Sequence, residues 1–268
     1  MRPVVLTIGG SDSSGGAGIQ ADLKTIEAHG GWAATVITAV TAQGPGGVRH
    51  VHALPVQSIE AQLDAVLDEL SVAAVKTGML VGASIVHLVA RVLGERKVPI
   101  VVCDPVLRAT SGAELLDPAG IEALRGELLP LSSVVTPNAV EAGHLAGIAV
   151  HDIHDAERAG RAILETGVRA VLVTGGHLPP PHRAVDLLVQ ESGVSVLRGV
   201  VVEGAEVHGT GCVLASAIAT LLARGAGLTE AVTLAKEHVA EAMRRAFRLG
   251  SGRAVDPLFA LHGGVDPG

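Results

Sequence analysis

Val4-Val5-Leu6-Thr7-Ile8-Gly9-Gly10-Ser11-Asp12-Ser13-Ser14-Gly15-Gly16-Ala17-Gly18-Ile19-Gln20-Ala21-Asp22-Leu23-Lys24 is the stretch that decides the fold. A short apolar run without polar alternation reads as a strand buried on both faces. A Gly/Ser turn follows, and then an amphipathic helical segment near 17–29. The unit recurs. Strand-like runs lie at Thr35–Val40, Ala73–Lys76, Ile100–Cys103, Ser133–Thr136, Ala170–Val173, Val185–Val189 and Val194–Val202. Helical candidates lie near 56–70, 83–95, 118–128, 138–146 and 155–166, and two more near 211–224 and 229–247 close the chain. Strand–helix alternation predicts an α/β fold: a mostly parallel sheet with helices on both faces. No low-complexity linker or repeat divides the chain, so residues 1–268 read as one domain. Ligands of such sheets bind beyond the carboxyl ends of the strands.

The composition narrows the partners. The chain has 268 residues and a net charge of −7, which speaks against a nucleic-acid footprint. Only one Trp, two Phe and no Tyr are present, so stacking platforms are scarce. Two cysteines, Cys103 and Cys212, make no disulfide framework and suit a reducing compartment. No run approaches the ~18 apolar residues of a membrane span, and the first residues are too short a run for a signal sequence. The expectation is a cytoplasmic protein with no membrane partner.

Six segments carry candidate chemistry. The first Gly/Ser turn exposes backbone N–H groups to a ligand, but it lacks a P-loop ending and dinucleotide spacing. Asp22 reads either as a solvated helical residue or as a pocket acceptor. Gln43, after a strand run, offers an amide to a heterocycle edge or sits in a loop. Met79 suits a core or a pocket wall; Lys76, a charge ending an apolar run, needs a partner. Asp104, after a buried strand, reads as a metal- or phosphate-linked carboxylate or a turn residue before Pro105. Asn138 and Glu141 fit a capping box and equally a hard-cation site. In Val207-His208-Gly209-Thr210-Gly211-Cys212, glycines precede a helix, whose free N–H groups make an anion hole. A cysteine there is expected to shift toward thiolate. His144, His151 and His154 match no zinc spacing.

Taken in order, GGSDSSGGAGIQADLKT, VITAVTAQ, VKTGML, DPVLRATSG, TPNAVEA, TGGH and HGTGC resemble the hydroxymethylpyrimidine/phosphomethylpyrimidine kinases, over nearly the whole chain. The resemblance implies a ribokinase-like three-layer sandwich, with pyridoxal kinases as relatives. It implies that ATP phosphorylates 4-amino-5-hydroxymethyl-2-methylpyrimidine and then its monophosphate, and that the protein is a homodimer. It assigns the pyrimidine to Gly10, Asp22, Gln43, Met79, Val106 and Cys212, and Mg²⁺ to Asn138 and Glu141, to which the place of Asp104 after a buried strand adds a third metal candidate. It assigns the nucleotide to Thr174, Gly175, Thr210 and Gly211, and catalysis to Gly209, Thr210, Gly211 and Cys212, with Cys212 as the base. The chain departs from the family at Thr110 and Thr174, where lysines are usual; Lys76, Arg108 or Mg²⁺ are the compensations available. Gly9 also replaces a usual alanine. The alternatives are a pyridoxal/pyridoxine kinase and a pyrimidine-sensing module without turnover. With so few aromatics, ring recognition is expected to rest on Asp22, Gln43 and backbone groups, with Met79 and Val106 as walls.

Overall fold

The computed structural model describes all residues except 1, 45, 109–111, 113, 203–206, 251 and 261–268. Its strands are β1 (Val4–Asp12), β2 (Trp32–Gly44), β3 (Gly47–Ala53), β4 (Val72–Thr77), β5 (Val101–Cys103), β6 (Val134–Val135), β7 (Ala170–Val173), β8 (Val185–Gln190), β9 (Gly193–Arg198), β10 (Phe247–Leu249) and β11 (Gly252–Ala254). Its helices are α1 (Gly18–Ala28), α2 (Val56–Leu67), α3 (Ala83–Glu95), α4 (Pro118–Ala123), α5 (Ala139–Ala146), α6 (Ile153–Leu164), α7 (Thr210–Ala223) and α8 (Leu228–Arg244).

One sheet of nine strands runs in the order β3-β2-β1-β4-β5-β6-β7-β8-β9, with β10 and β11 pairing separately. From β2 to β7 every pairing is parallel; β3, β8 and β9 join antiparallel at the two edges. Alternate strand residues serve opposite cores. Leu6 and Ile8 face the layer that holds Ile59, Val86 and Ile163, whereas Val5 faces Ile26, Ile218 and Val232. Two covered faces explain the unbroken apolar strand runs. Helix α7 is buried from Val213 to Leu221, which its alanines and hydroxyl side chains permit next to the sheet.

The mostly parallel sheet and its helical faces agree with expectation. Strand β3 was not anticipated, because Val48-Arg49-His50-Val51-His52 reads as polar and forms an exposed edge. The segment expected as one helix near 118–128 is α-helical to Ala123 and then widens into a π turn over Leu124–Leu128. The last helix ends at Arg244, so Phe247 lies in β10 instead. The last strand run stops at Arg198 rather than 202.

Candidate active site

The carboxyl ends of β1, β2, β4, β5, β6 and β7 open into one cleft of about 1380 Å³, faced by the first turn of α7. Gly10, Asp22, Gln43, Met79, Asp104, Val106, Asn138, Glu141, Thr174 and the residues from Gly209 to Cys212 all line it.

Its floor is ionic. Lys76, at the end of β4, is fully buried. Its ammonium donates to both oxygens of Asp22, at 3.0 and 3.1 Å, and stands 3.4 Å from Asp104 Oδ2. Burial alone would lower the Lys76 pKa, but the neighbouring carboxylates, Asp22 first, override it and hold the ammonium charged. Lys76 is therefore occupied by internal carboxylates, and is not free to replace a missing phosphate-binding cation. The Asp22 carboxylate also accepts from Thr7 Oγ1 at 2.6 Å and Ser216 Oγ at 2.7 Å. A carboxylate has about four acceptor positions, so the chain's own donors fill this one, and its geometry is that of an internal anchor.

Asp104 Oδ2 is buried without a hydrogen-bond partner. Burial raises the Asp104 pKa, with Lys76 working against it. Burial, followed by repulsion from Asp104, pushes the Glu141 carboxyl up to about 8. Two carboxyl groups thus repel across a site that Lys76 only partly compensates.

Asn138 and Glu141 form the capping box. Asn138 Oδ1 accepts from the N–H groups of Val140 at 2.9 Å and Glu141 at 3.0 Å, and Glu141 Oε2 accepts from Asn138 N–H at 2.9 Å. The amide oxygen of Asn138 is thereby committed to its helix. Among the described residues, no three His, Cys, Asp or Glu side chains converge as metal ligands.

The phosphate turn is set by close backbone approach. Gly209 has φ +94°, and a Cβ there would stand 2.0 Å from Gly16 O. No side chain caps α7, so the N–H groups of its first turn have no intrahelical acceptor and face the cleft. Cys212 departs from the sequence expectation. Burial of its sulfur, with Asp22 and Asp104 nearby, pushes the thiol up to about 12, against the pull of Lys76 and the Gly18 N–H. The helix terminus is outweighed by desolvation and two carboxylates, and the group at rest is a neutral thiol.

On the nucleotide side, Thr174 lines the cleft, but Gly175 is buried and gives its N–H to Asp186 Oδ1 at 2.9 Å. Lys236, on α8, donates to Asp186 Oδ2 and to Ala184 O, fixing this turn. Gly176 takes the lining position instead. Thr110 lies outside the described residues. Arg108 is exposed and paired with Glu114 at 3.1 Å. Arg183, unremarked in the sequence, is an exposed cation on the cleft beside this turn. Also unforeseen is the mouth formed by Asp12 and His208. His208 Nε2 lies 2.5 Å from Gln43 Nε2 and 3.6 Å from Asp12 Oδ2. The signal for Asp12 was an acid inside a Ser/Gly turn, where side chains bind backbone N–H groups.

The sequence matches the phosphomethylpyrimidine kinase family over residues 12–256. It is 47% identical to the hydroxymethylpyrimidine/phosphomethylpyrimidine kinase of Streptomyces coelicolor, across 93% of this chain and 92% of that one. The crystal structure of phosphomethylpyrimidine kinase from Clostridium difficile 630 superposes with a TM-score of 0.81 at 41% identity, covering 90% of this chain and 100% of that one. The ADP complex of Bacillus subtilis pyridoxal kinase superposes with a TM-score of 0.90 at 35% identity, covering 98% and 99%.

Proposed function

The chain belongs to the phosphomethylpyrimidine kinase family, and from that premise we propose that its cleft moves the γ-phosphoryl group of ATP to the hydroxymethyl oxygen of 4-amino-5-hydroxymethyl-2-methylpyrimidine, then to the phosphate of that product. The activity is that of a phosphotransferase in thiamine biosynthesis. The sensor reading is set aside because the family and its curated members are kinases. The pyridoxal reading rests on structural neighbours of lower identity than the curated pyrimidine kinases.

The observation that carries the mechanism is the uncapped first turn of α7 beside the Lys76 cluster. The N–H groups of Thr210, Gly211 and Cys212 stabilise charge on the transferring group. The substrate hydroxyl approaches beside Cys212, with Met79 and Val106 as walls, Gly10 against Met79, and the Gln43 amide at the ring edge. A loose phosphoryl transition state asks for positioning and charge neutralisation more than for a strong base. A neutral thiol that orients the hydroxyl meets that demand. Lys76 holds Asp22 and Asp104 in place through its ammonium. On the far side, Thr174 and Gly176 meet the nucleotide, with Arg183 as the nearby cation.

The site fits Mg²⁺. Asp104 Oδ2, which has no hydrogen-bond partner, and the Glu141 carboxyl it repels are oxygen groups whose ionised forms a divalent cation would favour. Asp104 and Glu141 would hold it, with Asn138 acting through water because its oxygen caps α5. When bound, the ion neutralises charge on the ATP phosphates. The acidic balance and scarcity of aromatics support a partner set without nucleic acid, and no helix among the described residues is long and apolar enough to cross a membrane. A homodimer in the cytoplasm completes the reading, with sedimentation as its check.

The test is kcat/KM for the hydroxymethylpyrimidine against pyridoxal, with ADP release as the readout. Preference for the pyrimidine is expected; preference for pyridoxal, or binding without ADP, overturns it.

A further inference from the structure

The cleft mouth joins the phosphate turn to the ring-recognition strand through one imidazole. His208 directly precedes Gly209, and its Nε2 lies 2.5 Å from the Gln43 amide nitrogen and 3.6 Å from Asp12 Oδ2. Asp12 is immobile: its carboxylate accepts from the N–H of Ser14 and of Ala17, each at 2.8 Å, and from Ser14 Oγ. Burial would raise its pKa, but His208, Ser14 and Ala17 hold it down at about 2, so it is an anion under all working conditions.

The Asp12 carboxylate beside Nε2 is an acceptor for the tautomer that carries its N–H there. A protonated Nε2 is a donor, and its neighbour must then be an acceptor. In the structure Gln43 presents Nε2 to His208 and Oε1 to Thr41 Oγ1; a protonated His208 Nε2 requires the carboxamide reversed, with Oε1 toward His208 and the NH₂ toward Thr41. Thr41 Oγ1 donates to Ser11 O at 2.9 Å and lies 3.2 Å from Gln43 Oε1, so it can accept from the NH₂ of the reversed amide. The opposite tautomer of His208 keeps the amide unreversed. Which group Gln43 has left for a ring edge is therefore decided at His208, not at Gln43.

We propose that His208, fixed by Asp12, is a positioning residue that sets the donor–acceptor face Gln43 presents to the ring, and so contributes to ring selectivity. This rests on the kinase reading and adds a residue that the family assignment of the pocket does not include.

The experiment is a double-mutant cycle on the full-length enzyme: His208→Leu, Gln43→Leu and the pair, with His208→Gln as the conservative variant. Gln keeps a polar group near the Nε2 position. Loss of one oriented hydrogen bond corresponds to a rise of about tenfold in KM for the ring substrate. His208→Leu is expected to show that rise with kcat and KM for ATP within about twofold. His208→Gln is expected to recover most of it. In the Gln43→Leu background, His208→Leu is expected to add nothing. Independent effects that multiply in the double variant overturn the proposal. So does a fall in kcat with a rise in KM for ATP, which would mean His208 only supports the phosphate turn. The cycle is read on whichever of the pyrimidine and pyridoxal the wild type phosphorylates, so failure of the pyrimidine assignment leaves it readable.

Discussion

Lys76→Met should destabilise the protein in a pH-dependent way. The ammonium sits 3.0 Å from Asp22 and 3.4 Å from Asp104 in a fully buried site. At an effective dielectric near 20, each contact corresponds to roughly 5 kcal/mol of attraction, most of it offset by the cost of taking the charges out of water. Removing one partner leaves that cost exposed, typically about 3–5 kcal/mol. Asp22 keeps Thr7 and Ser216, so the loss falls chiefly on Asp104, whose Oδ2 has no hydrogen-bond partner. Without Lys76, the folded pKa of Asp104 rises further above its unfolded value. A carboxyl whose folded pKa is raised binds more protons in the folded state, so stability falls as pH rises. Urea unfolding followed by circular dichroism at pH 8 and pH 5.5 checks this. A deficit of about 4 kcal/mol is expected at pH 8, and one about 1 kcal/mol or more smaller at pH 5.5. A loss under about 1 kcal/mol, or equal losses at both pH values, would refute the idea that Lys76 is the cluster's counter-charge.

Other outcomes follow from the same geometry. With its thiol pushed up to about 12, Cys212 should react with iodoacetamide at pH 8 far more slowly than free cysteine, and Cys212→Ala should lower kcat more than it weakens pyrimidine binding; rapid alkylation contradicts the neutral thiol. Thr174→Lys should lower KM for ATP and Arg183→Ala should raise it several-fold, as steady-state kinetics at low salt would show; an unmoved KM removes either side chain from the nucleotide site. His29 is lowered to about 4 by burial, then by His238 and Arg224. A depressed histidine means the unfolded state binds more protons, so stability should fall as pH drops from 6.5 toward 4. After discounting for its partial exposure, the loss is about 1–2 kcal/mol, and His29→Asn should flatten that slope.

The sheet was legible because both its faces are covered, which leaves apolar strand runs that nothing else explains. β3 was not, since an exposed edge carries polar side chains by necessity. The site positions were legible as places after strands, and nearly all of them line one cleft. Their chemistry was less so. Asn138 and Glu141 admit a capping box and a cation site from sequence, and the structure realises the capping box. Cys212 sits at a helix N-terminus as expected, but the carboxylates that cancel the helix effect come from residues 22 and 104, far away in sequence. The same distance hid the Lys76 network, which joins β1, α1, β4, β5 and α7. His208 and Gln43 are 165 residues apart, and only the fold brings them together.

The most direct test of the account is to follow the reaction product itself. Phosphorus NMR of enzyme, ATP, Mg²⁺ and 4-amino-5-hydroxymethyl-2-methylpyrimidine should show the pyrimidine monophosphate first and the diphosphate after it, with one ADP formed per phosphoryl group transferred. ADP without phosphorylated pyrimidine, or pyridoxal phosphate forming in preference when both rings compete, would contradict it.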